Sequence, residues 1–136
     1  MKRQFLSLVI GLAALAAAPW AYANEWADLR TELSAARESL VTMLVNKDKR
    51  GADHQKVVKD TANAVSAHLA KLKAPAGKEA QFNELVSAWN AFKKTRETEL
   101  VPAILAGKDD EAKKIAGGVQ KERITKCQQM VGELGG

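Results

Sequence analysis

Apolar residues recur along the chain at alternating intervals of three and four, the spacing that aligns side chains on one face of a helix. Between positions 25 and 45 the stripe is Trp26, Leu29, Leu33, Ala36, Leu40 and Met43. A second stripe runs through Val58, Ala62, Val65, Leu69 and Leu72, with Asp53 as the expected N-cap and Lys73 as the expected end. The third segment begins near Lys78 and places Phe82, Leu85, Trp89 and Phe92 on one face, then Arg96 and Glu99, before Leu100, Ile104 and Leu105 restore apolar character. After the turn "AGKDD", the fourth carries Ala112, Ile115, Val119, Arg123, Cys127 and Met130. "NKDKRGAD" ends the first segment, and "APAGK" the second, because Pro75 and Gly77 together cannot continue a helix. Loops this short force neighbouring helices to run in opposite directions. The expectation is an all-α protein, an antiparallel up-down-up-down four-helix bundle over residues 24–136, opened by an Asn24 cap.

The first residues do not belong to that pattern. Met1-Lys2-Arg3 precede an apolar run from Phe5 to Ala18, and Ala21-Tyr22-Ala23 offers a small-x-small cleavage site. This is the layout of a secretory signal peptide, assigned to residues 1–23. The run is about 14 residues, short of the roughly 20 that span a bilayer, so cleavage would leave no membrane span. An uncleaved anchor is the alternative. Export to the periplasm is the expected localisation.

Charge narrows the partners. Loss of Lys2 and Arg3 takes the formal charge from +5 to +3. The remaining basic residues alternate with acids in "KDKRGADHQKVVKD" and "KKTRETE", as on a solvated helix face with pairs such as Lys93 and Glu97. No basic stripe interleaved with aromatics is present, so no nucleic acid partner is expected. A single cysteine rules out an internal disulfide.

Four residues could carry chemistry. Arg96 and Arg123 occupy stripe positions, where a guanidinium is costly without an acid or a ligand anion beside it. Arg96 has Glu99 at i+3, and Arg123 has Glu122 next to it. Either each snorkels and pairs with a carboxylate of a neighbouring helix, or the two form an anion or carboxylate site between helices. His68 borders the second stripe and falls at the depth of Cys127, so the two could form a metal or haem pair. Otherwise they are a core-flanking histidine and a small buried thiol. His54, at a helix start, is expected to be exposed. Pro102 predicts a kink or a re-formed last turn, and Gly117-Gly118 a weakened fourth helix at similar depth. No CxxCH, HExxH, Glu-x-x-His pair, GxSxG or phosphate-binding glycine loop occurs, and no enzymatic activity is expected.

The stretch "FNELVSAWNAFKKTRETELVPAILAGKDDEAKKIAGGVQKERITK" resembles the four-helix-bundle sensory domains that bacterial chemoreceptors and histidine kinases hold outside the membrane. The resemblance implies a periplasmic ligand-sensing bundle that dimerises through its first helix. The residues after Met130 are not expected to supply the second membrane span or signalling domain of a receptor, and no ligand-binding position of that family matches a motif here. "GKDDEAKKIAGGVQKER" is similar to the start of the last helix of the small b-type bundle cytochrome, in which the haem histidine would fall on Cys127. Against cytochrome c′, Cys127 would open a CxxCH, but Met130 and Val131 stand where the second cysteine and the histidine belong. Met43 and Met130 remain as soft donors away from the family's methionine position.

Together these features predict an exported, dimeric helical binding or sensor-like domain whose cleft near Arg96 and Arg123 takes a small anionic ligand or whose surface takes a protein partner, with no cofactor. A haem or metal carrier using Cys127 with His68 is the alternative, and a purely structural bundle a third.

Overall fold

Residues 25–135 are described by the computed structural model, and every regular element among them is helical. The expected signal peptide, 1–23, and the Asn24 cap lie outside the described residues. Helix α1 spans 25–45, and its whole stripe from Trp26 to Met43 is buried. After α1 the chain makes a short 3-10 turn, Lys47–Lys49, in which the Asn46 side chain accepts from the Asp48 N–H. Helix α2 covers Ala52–Lys71. Its N-cap is Gly51, not Asp53, which instead lies in the first turn, where its charge suits the positive end of the helix dipole. The helix also stops two residues before Lys73. Leu72 becomes extended (ψ 148°), and its N–H closes the last bond onto the His68 carbonyl.

The third segment departs from a regular helix midway. Helix α3, Glu79–Thr95, runs into a π turn, Arg96–Leu100, and then into α4, Val101–Leu105. The Val101 N–H donates to the Arg96 carbonyl, five residues back instead of four. Pro102 explains the local need. It has no N–H to donate, and in a regular helix its ring would strike the Thr98 carbonyl, so widening the turn relieves the clash. A π turn holds one extra residue, and the phase of the stripe moves with it. Glu99, expected inside, is exposed; Leu100 takes its place, followed by Ala103 and Ile104, while Leu105 is 45% exposed.

Gly107 (φ +75°) ends α4, with the Gly107 and Lys108 N–H groups donating to the Ile104 and Ala103 carbonyls. A left-handed residue is the usual helix stop, and glycine adopts it without steric cost. The fourth segment is then two helices, α5 Asp109–Gly117 and α6 Val119–Gly135. They are divided by Gly118 (φ −101°, ψ −106°), where an added Cβ would lie 2.8 Å from the Lys114 carbonyl oxygen. The break moves the start of the α6 stripe, which rejoins the expected face at Cys127 and Met130. Val119, expected inside, is 39% exposed, and Gln120 is buried in its stead, followed by Ile124, Cys127, Met130, Val131 and Leu134.

Polar contacts join the helices to one another. Ser39 of α1 shares a hydrogen bond with Thr61 of α2, and Trp89 Nε1 of α3 donates to Ser66 Oγ of α2 at 2.9 Å. From α2 to α6 the closest packing is between α3 and α6, where Lys126 meets Glu84 and Lys78 Nζ donates to the Glu133 carbonyl. Gln128 of α6 donates to Ser34 of α1. Trp26 packs edge-on against Phe82 and Trp89 stacks on Phe92, joining α1 and α3 to the core. Each fully buried large apolar side chain of this kind contributes about 1.5–3 kcal/mol. No helix among the described residues is long and apolar enough to cross a membrane.

Candidate functional site around Arg96

Arg96 is the first residue of the π turn, and its side chain is only 6% exposed. Nη2 donates to Glu97 Oε1 at 2.7 Å, and Nη1 reaches the Val58 carbonyl of α2 at 3.5 Å, the outer limit of a hydrogen bond. Nε is buried and has no partner among the described residues. Leaving a charged donor unpaired inside a protein is costly, so this atom marks an unfilled demand for an acceptor. The same side chain helps line a surface cleft of about 310 Å³ with Met43, Gln55, Val58, Lys59, Glu97 and Val101. The cleft therefore has apolar walls, two cations and one carboxylate.

The acid beside Arg96 is Glu97, not the expected Glu99, which faces solvent. Glu97 pairs with Arg96 and not, as expected, with Lys93. No spacing rule for a regular helix selects an adjacent residue as the partner. Lys59 and Gln55 enter the cleft from exposed positions of α2 and carried no pattern of their own.

Arg123 does not line that cleft. It is half-buried between α3 and α6, where its Nη1 donates to the Ala91 carbonyl at 3.1 Å, to Gln120 Oε1 at 3.2 Å and to Thr95 Oγ1. Gln120 completes the cluster by donating through Nε2 to the Phe92 carbonyl at 2.9 Å. Phe92 O is already an acceptor for the Arg96 N–H at the entry to the π turn. Arg123 and Gln120 thus bind together the two irregular stretches of backbone. This is a structural network, and its sequence trace was a polar residue on the buried face.

His68 is partnered by Glu32 of α1 through Nδ1, and the pair is partly buried. Cys127 lies wholly inside the core, where burial pushes its thiol from 9.0 up to about 12, against a smaller lowering by a backbone hydrogen bond. A metal-ligating cysteine must lose its proton, which this environment opposes. The histidine and the thiol each have a local role in packing, and neither is presented as a free donor. His54, expected to be exposed, is half-buried, with Nε2 2.7 Å from the Ser39 carbonyl oxygen. Among the described residues no three His, Cys, Asp or Glu side chains gather into a metal-binding group.

Comparison of the chain with protein-family models, with curated proteins and with solved structures found no match in any of the three.

Proposed function

We propose that this chain is an exported binding domain for a small anion, and that the anion is taken up in the cleft beside Arg96. The observation that carries the proposal is the buried Arg96 guanidinium, with an unpaired Nε, in the lining of a cleft. A planar fork of donors suits a carboxylate or phosphate, and π turns within helices are frequent at functional sites. Arg123 supports the site indirectly, by fixing α6 against the carbonyls that precede the turn. The scaffold is an antiparallel up-down-up-down four-helix bundle. The meetings of Ser39 with Thr61, Trp89 with Ser66, and Lys126 with Glu84 support that arrangement. Export rests on the basic start, the apolar run and Ala21-Tyr22-Ala23.

Thermal unfolding in the presence of a panel of carboxylates and phosphates tests the site. Some member should raise the melting temperature of the wild type and fail to do so for Arg96→Gln. If no compound shifts the wild type, the anion-binding function is wrong. The mass of the protein recovered from the periplasm tests export and cleavage after Ala23.

A further inference from the structure

Glu97 and Arg96 are an unequal pair. They are adjacent in the chain, and on a regular helix adjacent side chains diverge by about 100°. At the start of the π turn they nonetheless meet at 2.7 Å. The Arg96 side chain is 6% exposed and that of Glu97 is 52% exposed. The guanidinium is built into the molecule, whereas the carboxylate is laid against it from the solvent side, where water and salt screen the attraction and hold it weakly. Such a carboxylate can be exchanged for another.

We propose that Glu97 is an internal stand-in for the carboxylate of a short-chain monocarboxylate, which displaces it from Arg96 and lays its apolar chain against Met43, Val58 and Val101. This rests on the anion-site reading above and adds the ligand's class and the gate. Charge sets the first limit: Arg96 and Lys59 against Glu97 leave a single net positive charge in the lining, which balances one negative charge. A phosphate or dicarboxylate would bring a second negative charge toward Glu97. Shape sets the next. The cleft, at about 310 Å³, lies at the small end of ligand pockets, and its apolar walls favour a hydrocarbon tail over a polar one. Displacement also meets the demand of the free Nε, since a carboxylate can accept from Nε and Nη2 of one guanidinium side by side.

Calorimetric titration of the full chain with sodium acetate, butyrate, succinate and inorganic phosphate tests the proposal, using wild type, Arg96→Gln, Glu97→Ala and Val101→Phe. Butyrate should bind more tightly than acetate, by roughly fourfold per buried methylene. Glu97→Ala should bind butyrate about fivefold more tightly than wild type, because the internal competitor is gone. Arg96→Gln should lose at least about tenfold. Val101→Phe fills the cleft without touching a charge and should lose binding as well, which keeps the test decisive if Arg96→Gln does not fold. Unchanged or weaker butyrate binding by Glu97→Ala, or tighter binding of phosphate or succinate than of butyrate, overturns this proposal and leaves an anion site at Arg96 standing. Absence of cleft-dependent binding of all four anions to both wild type and Glu97→Ala removes the anion site itself.

Discussion

Arg50 Nη1 lies 3.1 Å from Asp109 Oδ1, and this pair joins the turn between α1 and α2 to the start of α5 across 59 residues of chain. The rest of the guanidinium is used as fully. Nε donates to the Met43 carbonyl at 2.9 Å, Nη2 to the Leu44 carbonyl at 2.7 Å, and Nη1 also to the Ile104 carbonyl at 3.3 Å. Met43 and Leu44 lie in the last turn of α1, where carbonyls lack helical partners, and Ile104 lies in the last turn of α4, where its carbonyl also accepts from the Gly107 N–H. One side chain therefore caps two helix C-termini and meets an acid at the N-terminus of a third.

Arg50→Ala should destabilise the protein by about 2–3 kcal/mol, because several partly buried acceptors lose a charged donor together. Arg50→Lys should recover little of this, since one ammonium cannot reach three carbonyls and a carboxylate. Asp109→Asn, which keeps the helix start and removes one charge, should cost about 1 kcal/mol. Urea unfolding followed by circular dichroism measures all three.

Replacing Pro102 tests what maintains the π turn. Proline accounts for the local clash, but the phase of the stripe gives a separate reason: a regular helix would turn Glu99 inward and Leu100 outward. Pro102→Ala should therefore retain the π turn and change stability by no more than about 1 kcal/mol. The Val101 amide should still exchange slowly with solvent deuterium, as a donor to Arg96. A regular helix in the variant, seen as a new phase of amide protection, would show that proline alone sets the geometry.

Gln120 and Arg123 should be energetically coupled. Arg123→Ala leaves Thr95 Oγ1 and Gln120 Oε1 without their shared donor, and Gln120→Leu removes the donor to Phe92. Each single change should cost about 1–2 kcal/mol. The double variant should cost less than the sum of the singles, because both break the same network. Additive costs in a double-mutant cycle would contradict that coupling.

Cys127 predicts a specific alkaline limb. Its thiol ionises near 9.0 when unfolded and at about 12 when folded. Below 9 both states keep the proton, whereas between these values only the folded state does. Stability should therefore be independent of this group up to about pH 8.5 and fall as pH rises through 9 toward 12. Cys127→Ala should lack that contribution to the slope, at a cost of about 1 kcal/mol at neutral pH for the lost volume. A disulfide-exchange reagent at pH 8 should modify the native thiol far more slowly than the urea-unfolded one.

The stripes of α1 and α2 were legible because both helices are regular, and every residue from Trp26 to Met43 and from Val58 to Leu72 named from spacing is buried. The misplacements gather after Arg96 and after Gly118. At the first a residue is inserted into the helical phase, so that Glu99 yields to Leu100; at the second the stripe slips locally, Val119 yielding to Gln120 and Arg123 to Ile124, and it returns to the expected face at Cys127 and Met130. Pro102 and Gly117-Gly118 were visible as irregularities, but a count of intervals cannot say that an irregularity adds a residue. Arg96 stood out for the same reason that it matters, a charge on a buried face. Glu97 did not, because no rule of helix spacing pairs a residue with its immediate neighbour.

The π turn works as an expansion joint in its helix: the extra residue sets how the chain from Leu100 onward is rotated about the axis when it reaches the Gly107 bend. Removing one residue from it would turn that stretch by about 100° and carry the bend, and with it the seat of Asp109 against Arg50, out of alignment.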